Sequence, residues 1–203
     1  MTMEKANDFI DRIEKLDDAT SQMLAFRFLL SDLNRRLPLS LSTAQRNVVG
    51  NVRAAILRAT IAQIGAILDR AGDDRAGIGQ IIKILSHEPF KLFLFETLRT
   101  GRGAAPREDV LLQLIAAYQE IIASDSYRRI KDLRNSEIGH ILLGDIDTVK
   151  YPDIFGLADL IQDLVVLVYR TLGIPNPHFL GLIDQVATEA TLFWNTYLES
   201  NPT

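Results

Sequence analysis

Apolar residues in this chain recur at three- and four-residue steps along most of its length, the spacing that turns one side of an α-helix toward a core. From Ala6, the positions Phe9, Ile10, Ile13 and Leu16 predict a first helix; Met23, Leu24, Phe26, Leu29, Leu30 and Leu33 predict a second, stopped by Pro38. Ser42 or Thr43 is placed to cap a long third helix. There Leu57, Ile61, Ile64 and Leu68 make one stripe, Arg53, Arg58 and Gln63 lie off it, and AGDD at 71–74 ends it. Shorter helices fit Gly77 to Leu85 and Glu88 to Leu98, and TGRGAAPRED is the clearest loop.

Beyond Pro106, Val110, Leu111, Leu114, Ile115, Tyr118, Ile121 and Ile122 mark another helix, and SDS at 124–126 offers cap chemistry for the one after it. Leu157, Leu160, Ile161, Leu164, Leu167 and Val168 give an amphipathic helix that GIPNP ends at 173–177. A last helix carries Ile183, Val186, Ala190, Phe193, Trp194 and Tyr197 on one side, with Phe193, Trp194 and Tyr197 expected in the core. No stretch alternates with period two long enough to predict a strand. The expectation is an all-α, up-and-down helical bundle forming one domain over residues 1–203.

Composition narrows the function classes. Hydrophobic residues at 47% and charged residues at 24% suit a packed domain and exclude a disordered chain. With no cysteine, disulfides and thiolate metal sites are excluded, and a cytoplasmic location is expected. The N-terminus lacks the apolar stretch of a signal peptide. The longest unbroken apolar run, LVVLVY at 164–169, is far below the roughly 20 residues that cross a bilayer, so no membrane span is expected. A net charge of −4 argues against salt-driven nucleic-acid binding over the whole surface, so a polyanion must meet a local patch. His87 and His178 have no second histidine at ligand spacing, and no metal site is expected.

One residue contradicts its surroundings. Winding the segment 127–141 at roughly 100° per residue places Tyr127, Ile130, Ile138 and Ile141 on one face, with Arg134 in its middle. A guanidinium stays charged at any ordinary pH, so on such a face it must pair, snorkel or line a cleft. Glu137, three residues on, is one available partner. Asn135 adds an amide that donates and accepts, and His140 a group that serves in either protonation state near neutrality. In a continuous helix His140 would point roughly 120° away from Arg134, so bringing them together requires the helix to loosen near Gly139 or a two-fold partner to supply the second copy. Arg128, Arg129 and Lys131 make the start of this helix locally basic; Arg128 and Lys131 wind closer to Asn135, so a solvated helix surface fits Arg129 better than either of them.

Arg134, Asn135, four intervening residues and His140 resemble the R-N-x4-H signature of the HEPN superfamily, and the order of helices is similar to its abortive-infection and toxin branch. LRATIAQIGAILDRAGDDRAGIGQIIKIL, residues 57–85, also looks like the part of that branch preceding the motif helix, here about 126–141. The resemblance implies a HEPN-like bundle with additional N-terminal helices. It also implies a metal-independent endoribonuclease without cofactor, acting on RNA in a cleft shared across a homodimer, and an antitoxin protein as a further partner. Carried over by position, His140 moves the proton as the ribose 2′-OH attacks, Arg134 stabilises the phosphorane charge, and Asn135 positions the phosphate or the imidazole. Arg128 and Lys131 are then substrate-binding residues. Many toxins of this group have a tyrosine two residues past the histidine; here Leu142 stands there, so inhibition by modification of that tyrosine is not implied. The alternative is a catalytically silent HEPN-like module for dimerisation and protein or nucleotide binding.

Overall fold

Between Met3 and Arg36 the sequence holds neither proline nor glycine, so nothing local forces the helix to break. In the computed structural model, which describes residues 3–36, 43–69, 77–99, 104–139, 151–175 and 177–199, this stretch is one continuous helix, α1 (Met3–Arg36). The two helices expected here are therefore one, about 50 Å long. Between the two runs of apolar repeats lie Asp17 and Thr20. Thr20 is fully buried and donates its hydroxyl back to the Leu16 carbonyl at 2.8 Å. Asp17, also buried, accepts the backbone N–H groups of His178 at 2.7 Å and Phe179 at 3.3 Å, and the Tyr169 hydroxyl at 3.2 Å. A carboxylate on α1 thus satisfies donors at the start of a helix about 160 residues later.

The remaining helices follow the expected order: α2 (Thr43–Leu68), α3 (Ile78–Leu85), α4 (Glu88–Arg99), α5 (Glu108–Ala123), α6 (Asp125–Gly139), α7 (Tyr151–Leu172) and α8 (His178–Glu199). Among the described residues there is no strand, and the fold is all-α. α1 packs on α2, α7 and α8; α5 packs on α6 and α7; α6 also meets α2 and α7; and short α3 touches α1, α2, α4 and α5. Phe9, Ile13 and Leu16 of α1, Ile64 and Leu68 of α2, Leu114 of α5, and Ile161 and Val165 of α7 fill a common core. Each side chain of this size contributes about 1.5–3 kcal/mol on full burial. Lys91 ties α4 to α5 through Glu108 at 2.5 Å, and that hydrogen bond, reinforced by Glu88, raises the pKa of its ammonium group.

The α2 stripe of Leu57, Ile61, Ile64 and Leu68 is buried as the spacing predicts. Two expected core positions are not. Phe193 is half exposed, giving its ring edge to the buried Trp194 at 4.9 Å, while the Trp194 indole donates to the Leu29 carbonyl at 3.1 Å. Leu160 likewise stands exposed on α7. Trp194 packs on Leu33 of α1 and Val49 of α2, while its neighbour Phe193 stays half exposed. The Tyr197 side chain lies outside the described residues. By length and composition the stretch Arg46–Leu68 of α2 is apolar enough to cross a membrane, although no unbroken apolar run marks it. Its buried stripe is committed to α1, α6 and α7.

Candidate functional site on α6

α6 begins where the SDS sequence predicts. The Ser124 hydroxyl donates to the Ile121 carbonyl at 2.7 Å and accepts the Tyr127 backbone N–H at 3.1 Å, closing α5 and capping α6 with one side chain. Asp125 in the first turn favours the positive end of the helix and pairs with Arg128 at 3.0 Å. Ser126 and Arg129 both donate to Asp153 of α7, each at 3.0 Å; Arg129 is exposed, as a surface residue is expected to be, and also links the two helices. Tyr127, Ile130 and Leu133 are buried and anchor the helix against the core.

Arg134 lies inward, its side chain only 18% exposed. Its partner is Asp69, just past the end of α2, whose carboxylate takes the Nη1 donor of the guanidinium. The other carboxylate oxygen of Asp69 accepts the Tyr127 hydroxyl at 3.0 Å. Nη2 of Arg134 turns the other way and reaches the Asn135 amide oxygen at 3.3 Å. The guanidinium fits because Gly65 has no side chain: a Cβ there would lie 2.3 Å from Nη1. Gly77 permits a similar close approach, since its Cβ would meet the Asp69 carbonyl at 2.8 Å and hold α3 off the end of α2. Tyr118 completes the cradle by donating to the Leu68 carbonyl at 2.9 Å, one of the carbonyls that a helix end leaves without an internal partner.

The electrostatics follow from burial. Tyr127 is held well above the usual tyrosine pKa, first by desolvation and then by its hydrogen bond to Asp69 and the charge there. It therefore stays a neutral donor, as the carboxylate beside it requires. Asp69 and Arg134 are both largely withdrawn from water, where an ion pair is less screened than on the surface and removal of one partner is costly.

Of the site residues expected from sequence, Arg128, Lys131 and Asn135 form an exposed stripe along α6, with the Arg134 fork reaching its edge at Asn135. Arg128 is engaged at the surface by Asp125. His140 lies outside the described residues, as do Ile141 and the side chains of Glu137 and Ile138. Asp69, Tyr127 and Gly65 complete the surroundings of Arg134, and sequence reasoning did not single out Asp69 or Gly65. The one available signal was a requirement: an inward arginine needs a carboxylate from somewhere, and LDR at 68–70 sits at the end of an apolar stripe. Compared with known protein families, with curated proteins and with solved structures, the chain matches none of them.

Proposed function

We propose that this chain is a metal-independent endoribonuclease with a HEPN-like bundle, acting in the cytoplasm as a homodimer within a toxin or abortive-infection system and silenced by an antitoxin protein. In this reading His140 accepts the ribose 2′-OH proton as that oxygen attacks the adjacent phosphorus. The bond to the 5′-oxygen breaks, leaving a 2′,3′-cyclic phosphate, and the leaving alkoxide takes up the proton that His140 accepted. Arg134 meets the charge that builds on the phosphorane oxygens, Asn135 orients the phosphate, and Arg128 and Lys131 guide the strand. Proton transfer and preorganised charge are sufficient for a reaction whose nucleophile is already on the substrate.

The observation that carries this reading is the division of the Arg134 fork. A guanidinium has five donors, and here Asp69 fixes Nη1 while Nη2 is presented beside exposed Asn135, next to a basic stripe on a protein of net negative charge. The test is cleavage of RNA in EDTA by the wild type, His140→Ala and Arg134→Ala, with helicity checked by circular dichroism and oligomeric state by light scattering. Cleavage by a wild-type dimer that both substitutions abolish supports the proposal. Equal activity in all three preparations refutes it.

A second reading is favoured by the ion pair itself, because an arginine answered by Asp69 satisfies the needs of a purely structural residue. Under that reading the chain is a silent HEPN-like module for dimerisation and for binding protein or nucleotide. A folded wild-type dimer with no cleavage of any RNA offered decides for it.

A further inference from the structure

The short helix α3 leaves a cavity on each flank. The smaller, about 240 Å³, lies toward Ile115 and Tyr118 of α5. The larger, about 500 Å³, is open to solvent and lies between the first turn of α1 and the α3–α4 junction. Gln80 and Lys83 border both.

The floor of the larger cavity is apolar, made by Ile84 and Phe90, and Phe90 is braced edge-on by Phe9 at 5.7 Å. Among the described residues its polar rim is cationic or neutral, with Lys5, Lys83 and His87 bordering it. Two helix starts flank it, those of α1 and α4, with His87 immediately before α4 and its carbonyl accepting the Phe90 N–H at 2.9 Å. Unpaired N–H groups in a first turn favour negative charge. The nearest acids in sequence are Glu4 and Glu88, one in each first turn; both are exposed, and Glu88 is engaged by Lys91 at 2.8 Å. On a chain of net charge −4, this is an apolar pocket with a basic mouth, within the size range of small-molecule sites.

We propose that this cavity binds a small organic anion: an apolar ring or chain lies on Phe90 and Ile84 while a single acidic head, phosphate, sulfonate or carboxylate, meets Lys5 and Lys83. The site shares no residue with the Arg134 cluster and does not depend on the nuclease proposal. Specificity for the anion comes from the two ammonium groups, and most of the contact area comes from the aromatic floor.

Two probes with one scaffold test it: 8-anilinonaphthalene-1-sulfonate, which carries the acidic head, and N-phenyl-1-naphthylamine, which lacks it. The folded protein should bind the sulfonate at one saturable site, weakened by salt, and the neutral probe roughly tenfold less tightly, the scale of one charge-assisted contact. Lys5→Gln with Lys83→Gln should weaken the sulfonate roughly tenfold and bring the two probes within about threefold of each other. Near-ultraviolet circular dichroism of the double variant should match the wild type. With only three histidines in the chain, the His87 ring resonance should shift on titration with the sulfonate while that of His178 stays in place. Equal binding of both probes by the wild type, undiminished sulfonate binding by the double variant, or an unmoved His87 resonance would overturn the proposal.

Discussion

Asp69→Ala tests the physical core of the α6 site without reference to catalysis. The substitution removes both oxygens at once, leaving the Arg134 guanidinium and the Tyr127 hydroxyl without the acceptor they share. Breaking a fully buried pair costs about 3–5 kcal/mol and a neutral hydrogen bond adds about 1. The Arg134 side chain retains 18% exposure, so water recovers part of the loss, and the net cost should be about 3 kcal/mol. For a chain of this size that corresponds to a fall in Tm of roughly 6–12 °C, at 2–4 °C per kcal/mol. Thermal unfolding followed by circular dichroism measures it. A double-mutant cycle with Arg134→Met then isolates the pair: with the charge gone, loss of Asp69 should cost at least about 1.5 kcal/mol less than in the wild type. A Tm within 2 °C of wild type for Asp69→Ala, or two effects that simply add, would show that the contact does not hold α2 to α6.

Three other outcomes follow. Gly65→Ala gains about 1 kcal/mol of helix propensity but puts a methyl group on Nη1 of Arg134 and disturbs its pair with Asp69, so Tm should fall by a few degrees and, under the proposed function, RNA cleavage should fall at least tenfold; unchanged Tm together with unchanged cleavage would contradict the guanidinium placement. Asp17→Ala strips the cap from α8 together with the Tyr169 contact and should cost about 2–4 kcal/mol, read as a lower denaturant midpoint, whereas Asp18→Ala beside it, whose carboxylate is exposed, should cost under about 0.5. Tyr127 and Tyr169 are both held above the tyrosine range by burial and by neighbouring carboxylates, so the stability tied to their protonated form is complete below about pH 10 and is lost as pH rises beyond it; the alkaline fall in Tm should be shallower in the Tyr127→Phe, Tyr169→Phe double variant.

Periodicity was enough to place most of the helices, because each carries its own stripe and its own stop. α2 is an example: Leu57 to Leu68 repeat cleanly and the helix begins at Thr43, within a residue of the expected cap. It failed at α1, where the apolar repeat lapses between Leu16 and Met23 and yet the helix continues; Asp17 there serves α8 and Thr20 its own helix backbone. At the candidate site the anomaly was legible and its resolution was not. Arg134 is visibly out of place in its stripe, but Asp69 is 65 residues upstream and only tertiary packing brings the two together. Gly65 was still less legible, since its meaning is the absence of a side chain against a neighbour contributed by another helix. Phe193 and Trp194 make the same point, for two adjacent aromatics carry identical sequence signals and burial chooses between them.

The long first helix also sets a constraint during synthesis. Part of the apolar side of α1 is completed only by α8, and Asp17 has its full set of donors only when His178 and Phe179 join Tyr169. At cellular elongation rates that interval is on the order of ten seconds, during which greasy surface on the newborn chain has no permanent cover. That part of α1 is therefore covered only once α8 has been made and has docked on it.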